Sequence, residues 1–257
     1  MTLFRNLAAA AALLAMAAAP AAAQEKVRIG TEGAYPPFNE LTSDGQLVGF
    51  DIDIAKALCE EMQVECEFVT QDWDGIIPAL LAGKYDAIVA SMSITEERKQ
   101  QVDFTDRYYT SPVAFMAAKD SDITEVTPEA LAGKSVGAQS STISGNHLQD
   151  AYGESDVRLY PTQDEANADL EAGRLDAVLV DKFVGQEWID SAGAECCTFV
   201  GEDITDTAVV GEGIGIALRQ DDDELREKIN AAITAIRENG TYKEINDKYF
   251  DFDVYGE

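Results

Sequence analysis

Basic residues are scarce in this chain of 257 residues, where 19 Lys plus Arg stand against 48 Asp plus Glu and the formal net charge is −29 at pH 7. So acidic a surface is repelled by phosphate backbones and by anionic lipid headgroups, which argues against nucleic-acid binding and polybasic membrane attachment. Histidine is nearly absent: His147 stands alone in a polar segment with no partner at metal-ligand spacing and reads as a surface residue. The run Asp221-Asp222-Asp223-Glu224 lacks the glycine and the alternating ligands of a calcium loop and reads as acidic bias at a helix start. No metal and no cofactor are expected. What the chain does have is 46% apolar residues with ten Phe and nine Tyr, enough to bury a core, so the charge belongs to a folded surface rather than to a disordered tail. The length allows one large domain or two small ones.

Long apolar runs are missing except at the N-terminus. There, Arg5 precedes an apolar stretch from Leu7 to Ala19, followed by Pro20 and the small residues Ala21, Ala22 and Ala23. This is a signal-peptide pattern over residues 1–23, with cleavage after Ala23. Cleavage removes one base, leaving 18 against 48 and a formal charge of −30. The stretch is short for a spanning helix, and no cysteine follows it to carry a lipid. The expected product is exported and soluble. Cysteine is sparse as well, at four. In an oxidising compartment Cys59 and Cys66 can bridge a helix end to the strand after it. Cys196 and Cys197 are adjacent, which suits neither an ordinary intrachain bridge between them nor a metal site; free thiols, a strained mutual bridge and pairing with another molecule all stay open.

Short apolar strands alternate with helical patterns, so the fold class is α/β. A strand at Val27–Gly30, a helix from about Phe50 to Met62 with Ile54, Ala57, Leu58 and Met62 at helical spacing, a strand at Cys66–Thr70, a helix at 76–82 and a strand at 87–90 follow in order. An internal echo then appears. Leu81-Ala82-Gly83-Lys84-Tyr85-Asp86-Ala87-Ile88 parallels Glu171-Ala172-Gly173-Arg174-Leu175-Asp176-Ala177-Val178, and Arg28-Ile29-Gly30 has a weaker counterpart in Ser135-Val136-Gly137. Two similar α/β units are expected, with the stretches 102–112 and 211–216 as crossings between them. Leu225, Ile229, Ile233 and Ile236 mark an amphipathic C-terminal helix ending at Asn239-Gly240, with a further helix through Ile245 and Tyr249.

Ligands of α/β sheets sit beyond the carboxyl ends of strands, which directs attention to Glu32, Tyr35, Ser91, Met92, Ser93, Gln139, Thr142 and Asp181. Arg98 can fork onto a carboxylate, helped by the hydroxyls of Ser91 and Ser93 and by free N–H groups at a helix start. Asp181 offers an anion for an ammonium group and Glu32 a second anion, while Tyr35 and Trp73 offer flat faces to a cationic tip. Each has an ordinary alternative: Arg98 as a helix-surface ion pair, the serines as caps, Asp181 as a helix start and Trp73 as core. Together they describe a receptor for a zwitterion with an extra cationic end.

Gly30-Thr31-Glu32-Gly33-Ala34-Tyr35-Pro36-Pro37-Phe38, Val48-Gly49-Phe50-Asp51-Ile52-Asp53, Ser91-Met92-Ser93-Ile94-Thr95-Glu96-Glu97-Arg98 and Phe104-Thr105 closely resemble the polar amino acid-binding proteins of bacterial ABC importers. The endings Gly240-Thr241-Tyr242 and Lys248-Tyr249-Phe250 look like the lysine/arginine/ornithine and histidine-binding branch. The resemblance implies a two-lobed periplasmic binding fold of type II with two hinge crossings, lobe 1 from 24–111 and 211–257 and lobe 2 from 112–210. It implies a monomer that captures a basic amino acid, arginine first, and delivers it to an inner-membrane ABC permease. It assigns the α-carboxylate to Arg98, the head group to Ser91 and Ser93, the α-ammonium to Asp181 and the side chain to Glu32, Tyr35 and Trp73, with a disulfide between Cys59 and Cys66. Departures are Ser141, where relatives often carry glycine, Ile143, which offers only backbone, and Ala90, where some carry serine. Two other ligand classes fit the same residues: an opine or modified arginine, and, for a dehydratase of similar fold, prephenate or arogenate with Glu32 cast as the acid.

Overall fold

Residues 25–256 are described by the structure, a computed structural model; the expected signal peptide lies outside them. In chain order the strands are β1 (Lys26–Thr31), β2 (Ala34–Tyr35), β3 (Asn39–Leu41), β4 (Leu47–Val48), β5 (Glu65–Thr70), β6 (Ala87–Ile88), β7 (Asp103–Phe104), β8 (Val113–Ala118), β9 (Ser135–Gln139), β10 (Asp156–Tyr160), β11 (Ala177–Asp181), β12 (Cys197–Ile204) and β13 (Ala217–Leu218). The helices are α1 (Phe50–Met62), α2 (Ile76–Leu81), α3 (Glu96–Lys99), α4 (Ile143–Ala151), α5 (Gln163–Glu171), α6 (Lys182–Asp190), α7 (Thr207–Val210), α8 (Asp223–Glu238) and α9 (Thr241–Tyr249). One five-stranded sheet runs β5-β1-β6-β13-β7 and a second β10-β9-β11-β8-β12, each flanked by helices, and together they make two lobes. The chain passes from the first sheet to the second between β7 and β8 and returns between β12 and β13.

The sequence echo is a structural one. Central β1 pairs parallel with β5 and β6, and central β9 pairs parallel with β10 and β11. Gly30 stands opposite Ile88 as Gly137 stands opposite Val178. A Cβ on Gly30 would lie 2.5 Å from the Tyr85 ring and one on Gly137 2.4 Å from Leu175, so both strands need glycine where the apolar residue just before the echo aspartate packs over them. The aspartates of the echo do the same work in each lobe: Asp86 accepts from the N–H of Arg28 (3.0 Å) and Asp176 from that of Ser135 (2.7 Å), tying one strand start to its neighbour.

The predicted α1 spans its expected range, closed by left-handed Gln63, and buries Ile54, Ala55 and Leu58 against α8 and α9. The strand expected at 87–90 is shorter, ending at Ile88, because the chain turns there toward the cleft. Cys59 and Cys66 are bridged across a separation of seven residues. Cys196 and Cys197 are bridged to each other, which resolves the open alternatives and corrects the expectation against a bond between adjacent cysteines. That pair lies at the end of edge strand β12 farther from the cleft, since Cys197 stands opposite Ala118 whereas Asp181 stands opposite Val113.

Aromatic side chains fill the seam below the crossings. Phe38 stacks on Tyr109 (4.7 Å between ring centres), Phe50 meets Phe250 edge-on (5.5 Å), and Phe250 reaches Phe183 of α6 (5.6 Å). The C-terminal segment therefore touches both lobes, and the Val254 carbonyl accepts from the Thr110 N–H (2.9 Å) beside the first crossing.

Candidate functional site

Between the lobes lies a cleft lined by Glu32, Tyr35, Trp73, Ala90, Ser91, Ser93, Arg98, Ser111, Val113, Gln139, Thr142, Ile143, Ser144, Asp181 and Ile214. Nine of the ten side chains singled out in the sequence face it. Met92 does not: it is fully buried in the lobe 1 core with Trp73, Ile76 and Leu80. Ser91 and Ser93 line the cleft, and the residue between them packs into the lobe.

Arg98 sits in α3, where its own N–H is capped by the Thr95 hydroxyl (3.3 Å). Its guanidinium donates through Nη1 to the Ser93 carbonyl (2.9 Å) and through Nη2 to the Ser141 carbonyl of the other lobe (3.2 Å), and its Cζ lies 5.3 Å from the Trp73 ring centre. It pairs with no carboxylate among the described residues, and loss of water around it pushes its pKa down to about 10. The ordinary alternative of a helix-surface ion pair is not what the guanidinium does; Lys99 instead takes Glu96.

Asp181 ends β11 and starts α6, where its Oδ1 accepts from the N–H groups of Phe183 (2.9 Å) and Val184 (3.3 Å). Those bonds and the Ser111 hydroxyl hold the carboxyl down, but burial outweighs them and pushes its pKa up to about 6. Glu32, just after β1, accepts from Gln139 Nε2 across the cleft (2.6 Å). Burial pushes its carboxyl up to about 7, against the Gln139 bond, and the nearby carboxylates Asp164, Asp72 and Asp74 push the same way. Trp73 is buried in its short helix and donates from Nε1 to the Ser141 carbonyl (3.1 Å). The Tyr35 hydroxyl is held well above its ordinary range by burial and by Asp181 and Glu32.

Ser91 in the cleft lining and Ser141 beside it have left-handed backbones (φ 53° and 56°). Ser141 thereby turns its carbonyl across the gap onto Trp73 and Arg98, and Ser140 beside it donates to Asp74 (2.9 Å). Thr142 caps α4, accepting from the Gly145 N–H (3.0 Å) and donating to the Gln139 carbonyl (2.8 Å), so its hydroxyl serves the lobe 2 loop. Sequence reasoning missed Ser111, Val113, Ser144 and Ile214 as cleft residues. Ser111 and Ile214 lie in the two crossings, and their positions just before Pro112 and within the run Gly211-Glu212-Gly213-Ile214-Gly215 were the signals available.

In charge the cleft is one cation facing two desolvated anions with aromatic walls between them. That is the complement of a carboxylate and two cationic groups. A match to the family model described as bacterial extracellular solute-binding proteins, family 3, covers residues 27–252. An L-arginine-binding protein of Pseudomonas aeruginosa is 48% identical over 238 residues, 91% of this chain and 92% of that one. The lysine/arginine/ornithine-binding periplasmic protein of Escherichia coli is 42% identical over 246 residues, with 92% of each chain covered. Among solved structures, an ancestral arginine-binding protein bound to glutamine superposes with a TM-score of 0.81 at 40% identity, covering 90% of this chain and 100% of that one. These matches span both lobes and both crossings, and the chain belongs to the bacterial extracellular solute-binding proteins of family 3.

Proposed function

We propose that this protein captures a basic L-amino acid in the periplasm and delivers it to an inner-membrane ABC permease, with arginine the foremost ligand and lysine, ornithine or histidine alternates. The observation that carries this reading is Arg98 opposite the carboxylates of Asp181 and Glu32, none of the three ion-paired among the described residues. Arg98 takes the α-carboxylate, Asp181 with Ser91 and Ser93 the α-ammonium, and Glu32 the side-chain cation between Tyr35 and Trp73. The lobes divide near 111/112 and 210/211, and the ligand enters when they part. Closure is favoured because each lobe supplies half of the charges that a buried zwitterion requires. The Arg98–Ser141, Gln139–Glu32 and Ser140–Asp74 bonds give the closed form its own interlobe contacts. The protein acts as a monomer and makes and breaks no covalent bond. Glu32, at about 7, is in the range of a general acid, which keeps a dehydratase as the second reading; an ultraviolet assay with prephenate separates the two.

The test is a thermal-shift screen of protein refolded free of carried-over ligand, against the common amino acids and a set of opines. A ligand that binds only the folded state raises the melting temperature. Shifts confined to arginine, lysine, ornithine or histidine support the proposal; a shift from opines alone moves the ligand class, and shifts from neutral or acidic amino acids overturn the role of Glu32.

A further inference from the structure

Behind the cleft wall lies a carboxylate that ligand capture does not itself use. Asp51, in the first turn of α1, is wholly buried, and no cation pairs with it among the described residues. It accepts from three neutral donors: the Tyr108 hydroxyl at Oδ1 (2.6 Å), and Asn39 Nδ2 and the Ser91 hydroxyl at Oδ2 (both 3.0 Å).

The direction of the Asn39 bond follows from a single obligatory donor. The backbone N–H of Gly33, next to Glu32, can only donate, and it does so to Asn39 Oδ1 (2.8 Å). That fixes the amide, so Asn39 Nδ2 is the donor to Asp51 and Oδ2 the acceptor. Ser91 meets the same Oδ2, and because an ionised carboxylate can only accept, its hydroxyl gives its proton backward, away from the cleft. The buried Tyr109 hydroxyl also lies toward Ser91, but a phenol oxygen competes poorly with a carboxylate for that proton. What Ser91 Oγ has left for the cleft is lone pairs.

We infer that Asn39 and Asp51 are positioning residues that set Ser91 as a hydrogen-bond acceptor in the cleft, so that Ser91 recognises the ligand's α-ammonium and takes no part in holding its carboxylate. The same chain fastens Ser91 to the strand turn carrying Glu32, and through Tyr108, whose carbonyl accepts from Tyr242 (2.7 Å), to the first crossing. Two acceptors, Ser91 and Asp181, then face the ammonium from the two lobes, and Arg98 is left to the carboxylate. This inference rests on the proposed amino-acid ligand and specifies how its head group is oriented.

Calorimetry with three ligands separates the roles: arginine, agmatine, which keeps the ammonium and lacks the carboxylate, and 5-guanidinopentanoate, which keeps the carboxylate and lacks the ammonium. For Ser91→Ala and Asp51→Asn, affinity for arginine and agmatine falls roughly tenfold or more, the loss of one bond to a charged group, while 5-guanidinopentanoate changes by less than about twofold. If Asp51→Asn does not fold, the isosteric Asn39→Asp, which sets a second acceptor against Asp51, carries the same comparison. Equal losses for all three ligands reduce the chain to a structural role and overturn the inference, as does a loss confined to 5-guanidinopentanoate, which would make Ser91 a carboxylate donor. Wild-type protein that binds none of the three overturns the proposed function itself.

Discussion

Replacing Arg98 by alanine separates binding from folding. Among the described residues the guanidinium is bonded to two backbone carbonyls and rests near the Trp73 ring, and burial away from water lowers its pKa. Removing it from the ligand-free protein takes away two hydrogen bonds and relieves that desolvation, so the ligand-free melting temperature should move little. With ligand present, the same change leaves a buried carboxylate unpaired, at a cost of about 3–5 kcal/mol, or roughly two to four orders of magnitude in Kd. Arg98→Lys, which keeps the charge but not the two-pronged geometry, should fall between. Isothermal titration of refolded protein gives the affinities. Agmatine is the internal control, because a ligand without a carboxylate has nothing for Arg98 to hold and should bind wild type and Arg98→Ala alike. An Arg98→Ala affinity for arginine within threefold of wild type, or an equal loss for agmatine, would refute the carboxylate assignment.

Further outcomes follow from the same charges. Glu32 near 7 and Asp181 near 6 must both be ionised to receive a cationic ligand, so arginine affinity should fall as pH drops through those values, by about twentyfold between pH 8 and pH 6. Titration at a series of pH values would show this, and a flat profile would place the cation elsewhere. For the ligand-free protein the sign reverses: both folded-state pKa values lie above those of the unfolded chain, so this contribution to stability is fully present below about pH 4 and is lost progressively as pH rises to about 6 to 7. Opening the Cys59–Cys66 bridge with a Cys66→Ala, Cys59→Ala double variant should lower unfolding free energy by about 2 kcal/mol in chemical denaturation, the chain-entropy value for so short a loop. Serine at both Cys196 and Cys197 should leave arginine affinity unchanged, because the pair lies five residues along β8 from the cleft, roughly 16 Å.

How much of this was legible in the sequence depended on whether the information was local. The glycine–aspartate echo could be read because the same constraint, a strand glycine covered by the apolar residue just before the echo aspartate, acts in both lobes. Glu32 and Asp181 could be picked out because each stands at the carboxyl end of a strand, and Arg98 because it lies a few residues beyond Ser91-Met92-Ser93. Placing Met92 with its serine neighbours ignored that a long apolar side chain is drawn into the core. Asp51 gave no sign in isolation, since an aspartate in the first turn of a helix is ordinary; only the fold brings Asn39, Ser91 and Tyr108 around it. The bond between Cys196 and Cys197 depends on local backbone conformation, which spacing does not encode.

The comparison that bears most directly on the ligand assignment is the affinity for arginine against citrulline, which replaces the guanidinium by a neutral urea of nearly the same shape. The Glu32 carboxylate, desolvated and set among Asp72, Asp74 and Asp164 with no cation paired to it among the described residues, should favour arginine by about tenfold to a hundredfold at pH 8, the value of a bond to a charged group. Equal binding of the two would contradict the assignment of the cleft to a basic amino acid.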